Sequence, residues 1–169
     1  MSSFKLGSTL TLEGLEFVAA GGCRTVLTSS ALRRVAASRK VLEAAMAMGG
    51  TIYGVNTGFG ELASTRISTE RLTQVQRNLV LSHACGVGEP LDPLEARSIL
   101  FLRVNELCRG FSGVRPALVR HLARMLDHNI IPLIPSRGSV GASGDLAPQA
   151  HMALAVIGEG SVFFRGRVV

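Results

Sequence analysis

The chain has 169 residues, of which 47% are hydrophobic, so it can form one globular domain and is too apolar to be disordered. Its formal net charge is +6, but the basic residues are scattered and lack interleaved aromatic residues, which argues against a nucleic-acid interface. No apolar run reaches the roughly 20 residues of a membrane span, and the three cysteines form no metal-binding pattern. We therefore expect a cytoplasmic protein with free thiols that binds no metal, nucleic acid or membrane.

Three helices are predicted in the first half of the chain, because apolar residues occur there in helical patterns and glycines follow the segments. A serine or threonine can cap the start of the second and third helices, at Ser29 or Ser30 and at Ser68 or Thr69. The predicted helices cover residues 10–20, 29–48 and 68–84.

A glycine-rich loop is predicted between the second and third helices. Residues 54–60 contain three glycines within seven positions, which rules out a regular helix. The same loop carries Tyr53, the only tyrosine of the chain, together with an asparagine and a phenylalanine. A flexible linker is the alternative, but loops on a rigid helical scaffold often carry function. The loop is therefore a candidate site.

The second half of the chain is predicted to begin with a central helix. Asp92-Pro93-x-Glu95 combines an N-cap, a proline in the first turn and an acidic residue, which is a strong helix start. The segment that follows is apolar on most sides until Leu107, so this helix is expected to lie in the core. Another helix is predicted to start at Pro116 and end before Asn129, and residues 130–137 are expected to be extended.

A second glycine-rich loop, Gly138-Ser139-Val140-Gly141-Ala142-Ser143-Gly144-Asp145-Leu146-Ala147-Pro148, precedes an apolar helix predicted over residues 146–157. Asp145 and Pro148 are typical of a helix start. Such a start favours negative charge in a ligand or in a reaction. On composition alone, a plain connection before a capped helix is the favoured interpretation of the segment.

A β-hairpin is predicted at the C-terminal end, with strands over 161–164 and 167–169 and a turn at Arg165-Gly166. A lone hairpin that stops within its return strand is poorly stabilised. The chain is therefore expected to be the N-terminal piece of a longer protein.

Both loops resemble signatures of the aromatic amino acid ammonia-lyases, the family of the histidine, phenylalanine and tyrosine enzymes. The matching motifs are residues 53–60 (YGVNTGFG) and 138–148 (GSVGASGDLAP). Residues 78–84 (NLVLSHA), 103–107 (RVNEL) and 110–113 (GFSG) also resemble that family and occur in the same order. The resemblance spans nearly the whole chain.

The resemblance implies a mainly α fold, the N-terminal helical part of the fumarase/aspartase-like ammonia-lyases, with a short β-hairpin near the C-terminus. Residues 1–169 would form a single N-terminal domain of a longer, homotetrameric enzyme. The family's remaining active-site groups lie beyond residue 169, so we expect the 169-residue form to be inactive alone.

The resemblance also implies a cofactor, 4-methylideneimidazole-5-one (MIO), built from the chain itself. It would form when the Gly144 amide nitrogen attacks the Ala142 carbonyl and two waters leave, one of them from the Ser143 side chain. Asp145 is placed to assist this proton movement. Alanine and glycine suit the reaction because they let the backbone fold onto itself.

By the same resemblance, the substrate amine adds to the Ser143-derived methylidene, a base removes a β-proton, and ammonia and a trans-alkene acid are released. Tyr53 matches the loop tyrosine that acts as the base. Its reference pKa of roughly 10 means that its site must favour the phenolate. Ser82-His83 matches the pair that holds the substrate ring in histidine ammonia-lyases, and Gly60 is implied as a further substrate-binding position.

The implied reaction is the conversion of L-histidine to trans-urocanate, a step of histidine catabolism. Tyrosine or phenylalanine ammonia-lyase and 2,3-aminomutase activities stay open, because related tyrosine aminomutases also carry Ser-His. A third reading is a truncated, non-catalytic helical subunit.

One residue departs from the family pattern. Gln149 stands where the family commonly has leucine, and we expect it to alter packing or specificity without abolishing the cofactor. On the same helix, His151 is expected to be a hydrogen-bonded core residue and not a catalyst.

Overall fold

The computed structural model describes residues 3–58, 67–139 and 146–169, without the side chains of Thr69 and Leu146. Within these ranges the helices are α1 (Leu12–Ala19), α2 (Ser29–Ala47), α3 (Thr69–His83), α4 (Pro93–Leu107), α5 (Pro116–Asp127) and α6 (Leu146–Ile157). The strands are β1 (Ser3–Lys5), β2 (Arg24–Val26), β3 (Val87–Pro90), β4 (Ile131–Pro132), β5 (Pro135–Arg137), β6 (Val162–Phe164) and β7 (Arg167–Val168). The mainly α fold with a hairpin near the C-terminus is confirmed.

Each predicted helix is present, and its bounds agree with the prediction to within about two residues. The predicted cap of α2 was wrong, because Thr28 and not Ser29 or Ser30 occupies the N-cap. The Thr28 hydroxyl accepts a hydrogen bond from the Ala31 amide at 3.2 Å. Three hydroxyl residues stand in a row there, and the extended backbone of Thr28 places both serines inside the helix.

Helix α4 lies at the centre of the core, as its apolar sequence predicts. Its start is fixed by a capping box, in which Asp92 accepts from the Leu94 amide and Glu95 accepts from the Asp92 amide. The aromatic ring of Phe101 meets Phe4 edge to face, with ring centroids 5.2 Å apart. The buried apolar residues of α4 and α5 are Ala96, Leu100, Phe101, Val104, Leu107, Val119, Leu122, Ala123, Met125 and Leu126.

The sequence did not predict the small parallel sheet near the N-terminus. Strand β1 pairs with β2, with Phe4 opposite Thr25. Strands of three residues are too short to show the alternation on which strand prediction depends.

The predicted C-terminal hairpin is confirmed, but it is not alone. Strand β6 pairs with β7 on one side and with β4 on the other, where Ile131 lies opposite Phe163. Phe163 also packs against the core. The premise that the hairpin is alone was therefore wrong, because a segment predicted only as extended chain supplies the third strand.

A second antiparallel pair positions the candidate site. Strand β3 pairs with β5, and Val87 lies opposite Arg137. The chain just beyond α3 therefore lies beside the start of the second glycine-rich loop. None of the helices in the described ranges has the length and apolar character required to cross a membrane.

Candidate active site

The loop that carries Tyr53 is braced by a buried asparagine. The Asn56 side chain accepts from the Ile52 amide at 2.7 Å and donates to the Gly50 carbonyl at 2.8 Å. Its backbone carbonyl accepts from the Ile67 amide at 2.8 Å. Asn56 therefore ties the entrance of the loop to the chain that leads into α3.

A second buried side chain shapes the turn itself. The Thr57 hydroxyl accepts from the Gly54 amide at 3.1 Å and donates to the Gly58 carbonyl at 2.9 Å. Gly54 has a φ of 68°, a left-handed conformation that favours glycine. These contacts support the expectation of a structured loop over that of a flexible linker.

Tyr53 stands at the surface of this braced turn, with 62% of its area exposed. The described part of the chain thus presents the tyrosine side chain outward instead of burying it in the core. Its predicted role as the base stays a prediction.

Helix α3 also contacts the Tyr53 loop. Nε2 of Gln76 donates to the carbonyl oxygens of Gly54 and Val55, at 3.2 Å each. Arg77, the next residue, forms a bidentate ion pair with Glu159 beyond the end of α6, at 2.6 and 3.0 Å. One helix therefore contacts both the loop and the C-terminal region.

The Ser82-His83 pair ends the same helix. Nδ1 of His83 lies 2.7 Å from the Leu79 carbonyl oxygen, which requires a proton on Nδ1 because a carbonyl cannot donate. The Ser82 hydroxyl donates to the same carbonyl at 3.1 Å. The Leu79 carbonyl therefore holds both side chains of the pair at the end of α3.

Gly86, three residues beyond His83, is the point where the start of the second glycine-rich loop meets the chain just beyond α3. A Cβ on Gly138 would lie 2.8 Å from Cα of Gly86 and 3.2 Å from Cβ of Ala147. The two flanks of the segment between Gly138 and Ala147 therefore lie side by side. Gly138 has a φ of 148°, so this close approach depends on glycine.

His151 on α6 adds a hydrogen bond at the same place. Its Nε2 accepts from the Gly86 amide at 3.0 Å, and the residue is partly buried. Burial lowers the pKa of its imidazole, which therefore stays neutral. The expectation of a hydrogen-bonded residue is confirmed, and its partner is the backbone next to the Ser82-His83 pair.

Several predicted site residues lie outside the described ranges. They are Gly60, Ala142, Ser143, Gly144 and Asp145. Gln149 lies in the first turns of α6, and its buried Oε1 accepts no hydrogen bond from any residue that the structure describes. Its predicted effect on packing or specificity stays a prediction. In the described ranges, no three His, Cys, Asp or Glu side chains converge as a metal site.

The sequence did not reveal Gln76 or Gly86 as parts of the site. Gln76 is a polar residue on an exposed helix face, which predicts nothing by itself. Gly86 follows the end of α3, where glycine is expected as a helix stop. Gln76 is identified by its two hydrogen bonds to the Tyr53 loop, and Gly86 by the close approach of Gly138.

The chain is similar in sequence to named enzymes along nearly its whole length. The family model for aromatic amino acid lyase matches residues 10–169. The histidine ammonia-lyase of Anaeromyxobacter dehalogenans (strain 2CP-C) is 51% identical over 157 residues, which are 93% of this chain and 31% of that protein. The chain thus spans about a third of the length of the curated relatives it matches.

Solved structures of related enzymes share the fold of this chain. Ergothionase from Treponema denticola, an ergothioneine-degrading enzyme, matches with a TM-score of 0.94 and 32% identity, over 99% of this chain and 34% of that one. Tyrosine aminomutase from Streptomyces globisporus matches with a TM-score of 0.89 and 37% identity, over 99% of this chain and 32% of that one. The chain belongs to the aromatic amino acid lyase family.

Proposed function

We propose that the chain is the N-terminal third of a histidine ammonia-lyase, which releases ammonia from L-histidine and leaves trans-urocanate. The observation that carries the proposal is the junction at Gly86. Both flanks of the segment that holds Ala142-Ser143-Gly144 meet there, three residues beyond the Ser82-His83 pair. The histidine ammonia-lyase relatives at about half identity support the choice of substrate.

The flanks of this segment fit an MIO group formed from Ala142, Ser143 and Gly144. Since Gly138 and Ala147 approach each other closely, the chain between them leaves and returns at one place. The residue types between these flanks suit a backbone cyclisation, because Ala142 and Gly144 are small. The group supplies an electrophile, which the ordinary side chains of the chain do not.

The remaining roles are assigned to residues of the first half of the chain. Tyr53 removes the β-proton of the substrate, from a loop that Asn56, Thr57 and Gln76 hold in place. His83 holds the imidazole ring of the substrate, with its own ring oriented by the contact of Nδ1 with the Leu79 carbonyl at 2.7 Å. Ser82 lies beside this ring and shares its carbonyl acceptor. Gly60 contacts the substrate, and Asp145 assists MIO formation.

The complete enzyme is proposed to be a cytoplasmic homotetramer that acts on a free amino acid. The isolated chain supplies only part of the site, since Tyr53 remains largely exposed within it. Further chain and further subunits would enclose the tyrosine and exclude water.

A tyrosine 2,3-aminomutase is the second candidate function. The tyrosine aminomutase from Streptomyces globisporus, at 37% identity over 99% of this chain, favours it. An aminomutase returns the ammonia to the β-carbon, so its product is a β-amino acid. A non-catalytic helical subunit remains the third reading, and it predicts a chain without MIO.

The test uses the protein from the full reading frame that encodes this chain. Urocanate and ammonia are measured with L-histidine, L-tyrosine and L-phenylalanine, and the amino acid products are analysed for β-isomers. Turnover of histidine to urocanate is expected, while activity on tyrosine alone would refute the proposal.

Intact mass tests the cofactor separately. MIO formation removes two waters, so the parent protein is expected to weigh two waters less than its sequence. The matched control is Ser143→Ala, which has no side-chain hydroxyl to lose. An unmodified parent mass would favour the non-catalytic subunit.

A further inference from the structure

We propose that Gln76 is a positioning residue, which sets where the Tyr53 loop lies relative to His83. The inference deepens the proposed function and rests on it for the catalytic role of Tyr53. Gln76 itself is not expected to contact the substrate.

The contacts of Gln76 are specific to the turn beyond Tyr53. Its amide nitrogen lies 3.2 Å from the Gly54 carbonyl oxygen and 3.2 Å from the Val55 carbonyl oxygen. A side-chain NH₂ group has two hydrogens, so it can donate one to each carbonyl. Gln76 therefore binds the backbone carbonyls of the two residues that directly follow the tyrosine.

The other braces of the loop act differently. Asn56 and Thr57 bond to backbone groups of residues 50–58, which fixes the shape of the turn. Gln76 reaches the turn from α3, at a separation of 21 and 22 residues in the chain. It therefore ties the turn directly to helix α3, whereas the backbone carbonyl of Asn56 ties the loop to Ile67, ahead of the helix.

Gln76 and His83 share one face of α3. They are seven residues apart, which is two helical turns or about 10 Å along the axis. The helix is continuous between them. The same rigid element thus holds the Tyr53 loop at one point and presents the His83 ring at another.

The geometry explains why such a tie matters for the reaction. A base must approach the β-carbon while the substrate ring is held elsewhere, so the distance between Tyr53 and His83 has to be constant. Misplacement of a catalytic group by about 1 Å can reduce a rate about 100-fold. Loss of the two Gln76 bonds is expected to loosen the loop and to reduce kcat about tenfold, with little change in KM.

The experiment compares Gln76→Leu with Gln74→Leu in the protein from the full reading frame. Gln74 is a matched control, because it lies on the same helix, is exposed, and bonds only to the Asn78 side chain among the described residues. Gln76→Glu is a second variant of native length that lacks the amide donor. The readouts are hydrogen exchange of the peptide covering residues 51–58, and kcat and KM per MIO-containing site.

We expect faster exchange of this peptide in both Gln76 variants and unchanged exchange in Gln74→Leu. The protected amides are those of Ile52, Gly54, Val55 and Asn56. In Gln76→Leu, kcat should fall about tenfold while KM stays within about twofold and the MIO mass is unaltered.

Two outcomes overturn the proposal. Equal exchange in Gln76→Leu and Gln74→Leu would show that Gln76 does not hold the loop, and faster exchange with unchanged kcat would show that its tie does not position the base. If the parent protein releases no ammonia from any of the three amino acids, the proposed function fails. The exchange comparison still tests the tie in that case.

Discussion

Gly86 donates its backbone N–H to Nε2 of His151 at 3.0 Å, and only a neutral ring with an unprotonated Nε2 can accept this bond. Burial lowers the pKa of His151 below its ordinary value of 6.5. The end of α3 and the helix α6 are thus joined by a contact that is sensitive to acid.

We expect the free energy of unfolding to fall as the pH drops below about 6.5. The folded-state pKa of His151 is depressed, so the unfolded chain takes up the proton first. The loss continues down to the folded pKa and levels off below it. Urea denaturation at about pH 7.5 and about pH 5.5 measures the difference.

The control for this pH dependence is His151→Gln, which keeps a hydrogen-bond acceptor but cannot titrate. Its stability should vary less over the same range, and an unaltered slope would assign the effect elsewhere.

Glu13 and Glu70 act in another window. Their pKa values are lowered, mainly by their own backbone N–H groups, so their contributions are lost below about 4.5.

Gly86→Ala should destabilise the protein by about 1–3 kcal/mol. The added Cβ would lie 2.9 Å from Nε2 and 3.1 Å from Cδ2 of His151, and 3.2 Å from Cβ of Pro135. Gly14→Ala in α1 is the control, since its Cβ would come no closer than 3.3 Å to Leu10 and Thr11. Denaturant midpoints compare the two. Equal midpoints would show that the junction yields without cost.

Asn56→Ala should cost about 2–3 kcal/mol, because it leaves the Ile52 amide and the Gly50 carbonyl without their side-chain partner. Asn56 is buried, so water replaces these bonds poorly. The control is Asn78→Ala on exposed α3, for which we expect a change within about 0.5 kcal/mol. Thermal unfolding distinguishes the two variants, and similar losses would contradict the bracing role of Asn56.

The cysteines should differ strongly in reactivity. Cys108 is fully buried, and burial raises its pKa to about 11, whereas Cys85 is exposed. At about pH 8, a thiol reagent should label Cys85 rapidly and Cys108 only after denaturation. Peptide mass mapping identifies the labelled residues, and Cys85→Ser should remove the rapid phase. Rapid labelling of Cys108 would contradict the packing of α4.

The 169-residue chain alone is expected to release no ammonia from histidine, tyrosine or phenylalanine. It carries Tyr53, Ser82 and His83, but the proposed site requires chain beyond them. The protein from the full reading frame, assayed in parallel, is the positive control. Measurable turnover by the short chain would show that it holds a complete site.

The helices were predictable because their signals are local. The capping box at Asp92 and the apolar surround of α4 both lie within a few residues, and the structure confirms them. Strands β1 and β2 were not predictable, since three residues show no period and their pairing joins distant parts of the chain.

The candidate site was predictable only where a motif carries it. Tyr53, Ser82 and His83 were predicted as site residues through resemblance, and the structure describes their surroundings. Gln76 was missed because its role arises from two contacts with a loop more than 20 residues earlier. For His151, the hydrogen bond was predicted but its partner was not. The partner, Gly86, depends on the register of β3 against β5.

That register has a consequence for how the protein folds. Val87 lies opposite Arg137, and the Leu91 amide donates to the Ile134 carbonyl at 2.8 Å. The segment that contains α4 and α5 therefore begins and ends at neighbouring places, next to the end of α3 and the start of the second glycine-rich loop. We expect β3 and β5 to pair only after α4 and α5 have packed, because closing the long segment between the strands costs entropy that packing must offset. We therefore expect the proposed formation of MIO from Ala142-Ser143-Gly144 to follow packing of the core, and a destabilising core substitution far from Tyr53 to delay it.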